Sequence, residues 1–426
     1  MLDQIELWDF KNFGTATLKL GPFTVIVGTN ASGKSNIRDA FRFIHGIGRG
    51  YPLADIIGGR YGAGGQVEWG QLRGSAREII KFGEESFQFK ISLTIGTTPV
   101  TYAIRIAETP GSRAGFRVVY EELTRSGYIT IFTSHPVGDD PVQHQDDENH
   151  LLLRMDKTGG QKRYGERISV RPDQPALTQI SDFQRVARGH KELARLVIET
   201  FADMRFLDLI PEFMRKPAFP GQAILGDSGE NLPSVLQDIC IDSKRKAILA
   251  EWVRELTPMD VEDFEFPHDP LTGLVQLILV ERSGNKVSAY SASDGTLRFL
   301  AMLAALLGRY PAALYFFEEI DNGIHPSRLK LLIDLIEQQT AKGDIQVITT
   351  THSPDLLSMM SDSTFNSTSI ISRPPDSSDS IIKLVKDLPK AGELRKSQGL
   401  GRLHASGWME DAVTFTAPDD GTAVAP

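Results

Sequence analysis

Residues 28–35 read GTNASGKS and stand directly behind the apolar run FTVIV at 23–27, which itself follows the turn pair Gly21-Pro22. The eight residues fit G-x-x-x-x-G-K-[ST]. The pattern gains meaning from its setting, a buried strand in front and a helix expected to begin at the lysine. Gly28 and Gly33 let the backbone turn tightly, so that successive N–H groups point into one concavity. Together with the positive end of the following helix this makes an anion site. In such a cradle Lys34 reaches the β and γ phosphates of a nucleoside triphosphate, and the Ser35 hydroxyl sits on Mg²⁺.

Three segments further along fit the same chemistry. LYFFEEIDNGIHP at 314–326 begins as a buried strand and ends in two carboxylates, as a parallel strand delivering acids to its C-terminal edge would. Adjacent strand residues point to opposite sides, so Glu318 and Glu319 should divide the work. One would hold Mg²⁺ while the other orients and deprotonates the attacking water, and Glu319 is the candidate base. ITTTHSP at 348–354 closes another β-branched run and ends at His352, a short helix and a strand beyond the acids. A neutral imidazole there can hydrogen-bond a γ-phosphate and sense whether it is still attached.

SASDGTLRFL at 291–300 leads into an apolar helix. Ser293, Asp294, Gly295 and Thr296 read as its N-terminus, a second anion-binding helix end. One nucleotide does not easily use two such ends from one compact lobe, which points to the nucleotide of a partner subunit. A plain capped helix is the ordinary alternative.

The order of phosphate loop, signature helix, acidic strand and histidine strand resembles the ABC-type ATPase heads of the RecF and structural-maintenance-of-chromosomes group. It is most similar to the stand-alone AAA-family ATPases that carry S-D-G-T-L-R as signature and an E-N-G-I-H-P-like segment after the acidic strand, here DNGIHP at 321–326. The opening strand with its N-F element at 5–13 and the closing GLGRLHASGW at 399–408 extend the likeness to nearly the whole chain. The resemblance implies an α/β P-loop fold, an ABC-type head with a mixed central sheet, an antiparallel β subdomain and a helical insertion. It assigns Gly28, Asn30, Gly33, Lys34, Ser35 and Asn36 to the phosphate loop, Ser35 and Glu318 to Mg²⁺, Glu319 to catalysis and His352 to the switch. It further implies that Ser293, Asp294 and Gly295 close on the ATP of a second copy, in a homodimer or a higher assembly of such dimers. Glu318 stands where many such heads have Asp, and the glutamine loop has two candidates, Gln66 and Gln71.

Composition agrees with this reading. The chain has 426 residues and one cysteine, Cys240, which excludes an internal disulfide framework and a cysteine metal site and fits a cytoplasmic protein. No signal segment is expected at 1–10, and the most apolar stretch, 299–307, is far short of a membrane span. The net charge of −9 argues against a uniformly basic nucleic-acid binder. Local patches remain open. Arg38, Arg42, Arg49 and Arg60 gather after the phosphate loop, and Arg185, Arg188, Lys191 and Arg195 recur at helical spacing; either set could face phosphate backbone, although a solvated helix face is the commoner use.

The expected organisation is an N-terminal head portion at 1–65 and a β-rich part at 66–179, followed by a helical part at 180–258 and the returning head portion at 259–410. The tail at 411–426 is expected to be disordered, its last ten residues above all. The acidic stretch 139–148 reads as a solvated loop or a divalent-cation site. Residues 376–387 lack the glutamate-plus-DxD arrangement of a two-metal nuclease, so nuclease activity is not expected. Two uses of an ATP cycle fit, a clamp acting on DNA in repair or maintenance and the ATPase of a defence or toxin-like pair that holds an operon-encoded effector. A transporter ATPase fits worse, since its signature would read LSGGQ.

Overall fold

Strand Leu314–Phe317 shows how the layers arise. All four residues are buried. Leu314 and Phe316 enter one hydrophobic cluster, while Tyr315 and Phe317 enter the other, because successive strand side chains point to opposite faces. A strand covered on both faces reads as an unbroken apolar run, which is what the sequence shows here and at Phe23–Val27. The computed structural model describes residues 1–109, 115–126, 129–134, 150–155, 167–374 and 377–416. The acidic stretch 139–148 and the last ten residues lie outside the described residues.

The central sheet runs in the order Met204–Leu207, Leu314–Phe317, Gln346–Thr351, Phe23–Val27, Thr368–Ser372, Ile381–Leu384. The first five strands are parallel and the last is antiparallel to its neighbour. Phe317 pairs with Thr349, and Thr351 with Val27. That register brings the loop at 28, the acids at 318–319 and the histidine at 352 to one edge of the sheet, the edge where open α/β sheets bind ligands.

An eight-stranded antiparallel sheet covers one side. Its order is Arg167–Val170, Leu151–Met155, Ile129–Thr133, Phe116–Arg125, Thr98–Glu108, Ser86–Ile95, Leu2–Phe10, Phe13–Lys19. Within the β-rich part, Ser86–Ile95 and Thr98–Glu108 form a hairpin, with Ile95 opposite Thr98 around Gly96 at φ 61°. Phe87 and Phe89 of this sheet meet the ring of Phe43 on helix Lys34–Gly48 at 5.5 and 5.3 Å, and Phe10 packs on both at 5.5 and 4.8 Å. The helix that starts at the phosphate loop is thereby held between the two sheets.

On the other side the apolar helix Asp294–Leu307 packs with helices Leu232–Ile241 and Ser243–Leu256, and Pro326–Thr340 packs on the latter. One expectation needed trimming. Helix Arg188–Ala202 begins later than the helical pattern from 180, where residues 180–182 form only a tight 3-10 turn. The strands that open the returning head portion, expected at 259–410, are Val261–Glu265 and Ile278–Glu281. Cys240 is half-buried in its helix, and burial pushes its thiol up to about 12. Among the described residues no helix is long and apolar enough to cross a membrane.

Candidate active site

The loop at 28–33 depends on one close approach. A Cβ at Gly28 would lie 2.4 Å from the Ile371 carbonyl oxygen on the neighbouring strand, so only glycine fits there. Ala31 at φ 64° and Gly33 at φ 113° then turn the chain into helix Lys34–Gly48. Lys34 Nζ donates to the carbonyls of Gly28 and Thr29 at 2.6 and 2.8 Å. Partial burial lowers the Lys34 pKa, and the charge of Glu319 opposes that shift. A relay braces the loop from behind. Asn36 Nδ2 donates to Asn12 Oδ1 at 2.7 Å, Asn12 Nδ2 to Ser380 Oγ at 2.6 Å, and Ser380 Oγ to the Ser32 carbonyl at 2.5 Å. Asn30 is exposed.

The two acids diverge. Glu318 continues the face of Leu314 and Phe316 toward helix Lys34–Gly48, where Arg73 Nη2 lies 2.8 Å and Arg38 Nη1 3.6 Å from its two oxygens. Glu319 takes the left-handed conformation at φ 48°, and its N–H donates to Thr350 Oγ1 at 3.2 Å. A non-glycine residue in that region carries local strain, of the kind that functional sites hold. The turn brings Glu319 Oε1 within 3.6 Å of His352 Nδ1, both side chains about half exposed.

The segment 321–326 joins the acids to the signature helix. Thr351 Oγ1 donates to Asp321 Oδ1 at 2.8 Å, and Arg298 Nη1 donates to the Asn322 carbonyl at 3.0 Å. A Cβ at Gly295 would sit 2.7 Å from the Gly323 carbonyl, so glycine is needed for this packing as well. Ser293 caps helix Asp294–Leu307, accepting from the Thr296 N–H at 3.1 Å. Asp294 is paired with Arg215 at 2.5 Å.

Lys34, Ser35, Glu318 and Glu319 line one cavity of about 310 Å³, and His352 joins them through Glu319. Ser293, Asp294 and Gly295 do not line it, and neither do Gln66 or Gln71. Arg73, Asp208, Arg298 and Asn322 line the cavity and were not singled out from the sequence. Arg298 is the arginine of the SDGTLR segment, and Arg73 stands two residues after Gln71. Nothing local marks either one. Ser35 and Glu318 offer the hard oxygen donors that suit Mg²⁺, so the residues present fit that ion.

The chain belongs to the family described as "AAA domain, putative AbiEii toxin, Type IV TA system", whose model matches residues 23–148 and 166–358. It is 46% identical over 67 residues to the chromosome partition protein Smc of Synechococcus sp., a stretch covering 14% of this chain and 6% of that relative. Among solved structures it is similar to the Smc head bound to the C-winged helix domain of ScpA, at 17% identity and TM-score 0.46, covering 90% of this chain and 97% of that one. It is also similar to the SMC head domain from Thermotoga maritima, at 13% identity and TM-score 0.44, covering 90% and 98%. Family and architecture together make it an AAA-domain protein with a phosphate loop at the edge of a largely parallel sheet.

Proposed function

We propose that this chain binds and hydrolyses ATP with Mg²⁺, and that the cycle joins and releases two copies. The observation that carries the reading is the shared cavity of Lys34, Ser35, Glu318 and Glu319 at the edge of a parallel sheet. Lys34 exchanges the two loop carbonyls for phosphate oxygens, within the cradle shaped by Gly28, Asn30, Gly33 and Asn36. Ser35 and Glu318 would hold Mg²⁺, which when bound neutralises phosphate charge; Glu318 is released for this as Arg73, which lines the cavity, turns to the phosphates. Glu319 orients and deprotonates water, and His352 reads the γ-phosphate. The base extends into a neighbouring cavity that shares Arg73 with the first and is bordered by Asn12, Asn36 and the fully exposed ring of Phe82. Ser293, Asp294 and Gly295 act on the ATP of the second copy.

The regulated partner, on this reading, is a protein. The family description names a toxin–antitoxin system, and both basic clusters are largely engaged within the chain. Arg60 pairs with Glu68 and Asp55, Arg42 donates to the Gly70 and Gln71 carbonyls, Arg195 pairs with Glu192 and Glu199, and Lys191 donates to the Ser181 carbonyl. Action on DNA is the second reading, supported by the local identity to Smc. The test is the mass of Glu319→Gln in solution, expected to be monomer alone and dimer with ATP, with duplex DNA leaving the dimer fraction unchanged. Strengthening by DNA would move the reading to a DNA clamp. No ATP-linked dimer, or hydrolysis at the wild-type rate, would overturn the site assignment.

A further inference from the structure

Helix Lys34–Gly48 serves the active site with its first residues and a different cavity with one of its faces. Arg38, Arg42, His45 and, at the C-cap, Arg49 follow helical spacing and line a cavity of about 590 Å³, within the range of roughly 300–1,000 Å³ typical of small-molecule sites. The edge strand Met204–Leu207 forms another part of the wall.

The charges here are unevenly matched. Among the described residues Arg205 is ion-paired with Asp227 at 2.7 Å and Glu68 with Arg60 at 2.9 Å, and the Asp203 carboxylate accepts from the Ala313 N–H at 2.9 Å. Among the described residues Arg42 and Arg49 are ion-paired to no carboxylate; Arg42 donates to the Gly70 and Gln71 carbonyls, lies over the Trp69 ring at 5.2 Å and feels the charges of Asp39 and Asp227 from a distance. Two guanidinium groups with no carboxylate in contact favour an anion with several oxygens, and phosphate matches the guanidinium fork.

Other groups ask for partners. Among the described residues His45 Nδ1 is buried with no hydrogen-bond partner. Burial and the surrounding arginines push the His45 pKa down to about 3, so the ring is neutral and its buried Nδ1 is left to bond a ligand hydroxyl. Asp208, outside any ion pair among the described residues, adds an acceptor on a wall shared with the active-site cavity. Tyr51, Trp69 and Tyr310 supply an aromatic lining, with the Tyr51 and Trp69 rings edge to face at 5.5 Å.

We propose that this cavity is an effector site for a nucleoside monophosphate. The phosphate lies on Arg42 and Arg49, a sugar hydroxyl bonds His45, a hydroxyl or base N–H donates to Asp208, and the base lies against the aromatic wall. Arg38 lines the same cavity and stands 3.6 Å from Glu318, so occupancy shifts Arg38 and alters the hold on Glu318. Binding stands independently of the ATPase reading; only this relay rests on it.

The test uses full-length Lys34→Ala, whose phosphate loop no longer grips triphosphates, titrated calorimetrically with AMP, GMP, CMP and UMP in turn and with inorganic phosphate. One-to-one binding of at least one nucleotide is expected, stronger than that of phosphate and weakened about tenfold or more by adding Arg49→Ala, as loss of a charge-assisted contact implies. No saturation by any of the four up to about 1 mM, or binding indifferent to Arg49→Ala, overturns the site. The relay predicts that the binding nucleotide changes ATP turnover of the wild type and not of Arg49→Ala, whose basal rate is unaltered. A wild-type rate indifferent to that nucleotide overturns the relay.

Discussion

Replacing Lys11 by methionine should destabilise the head far more than an ordinary surface change. Lys11 Nζ lies 2.5 Å from Asp39 Oδ2, and the two side chains are 7% and 0% exposed. Asp39 sits on helix Lys34–Gly48, and its other oxygen has no partner. At an effective dielectric of about 20 the Coulomb attraction at this separation is roughly 7 kcal/mol, and desolvation of both ions cancels much of it. Removing one partner leaves the other charge buried and uncompensated, at a cost of about 3–5 kcal/mol. Lys11 also donates to the Arg73 carbonyl at 2.8 Å, so the segment that presents Arg73 to Glu318 should loosen with it. Urea unfolding followed by tryptophan fluorescence should show Lys11→Met lowered by that amount, with Lys11→Met/Asp39→Leu recovering most of the loss, since an apolar pair replaces the buried ions without an orphan charge. A loss under about 1 kcal/mol for the single variant, or a double variant less stable than the single, would refute the reasoning.

Lys34→Ala should lose ATP affinity, measured by direct titration, while its thermal midpoint stays near the wild-type value, because the lysine bonds only carbonyls of its own loop. Ser293→Arg should abolish hydrolysis and leave nucleotide binding to the monomer intact; retained turnover would remove the signature from catalysis. Glu121 is fully buried on strand Phe116–Arg125, and desolvation raises its pKa to about 7, opposed by hydrogen bonds from the Leu177 and Ala176 N–H groups and the Tyr102 hydroxyl. Its folded pKa lies above the ordinary 4.5, so its contribution is fully present below about pH 4.5 and is lost as pH rises through about 7. Wild-type stability relative to Glu121→Gln should therefore fall over that window, by up to about 3 kcal/mol, and a difference flat in pH would sink the assignment.

The sequence by itself determined what depends on near neighbours. A glycine-bounded loop between an apolar run and a helix, acids closing a buried strand, and an oxygen-bearing cap before SDGTLR are local patterns whose physics is complete within about ten residues. The parallel sheet then carries the loop and the acids to one edge through backbone pairing, while the capped helix starts outside that cavity. Tertiary structure alone decided which long side chains reach that edge and which charges are matched. Arg73 meets Glu318 across 245 positions of chain. Ser380 braces Ser32 across 348. The arginines after the phosphate loop look in sequence like one basic cluster; folding pairs Arg60, buries Arg42 against Trp69 and leaves Arg49 beside it with no carboxylate in contact among the described residues. Side-chain electrostatics acts through space, and separation along the chain sets no limit on it.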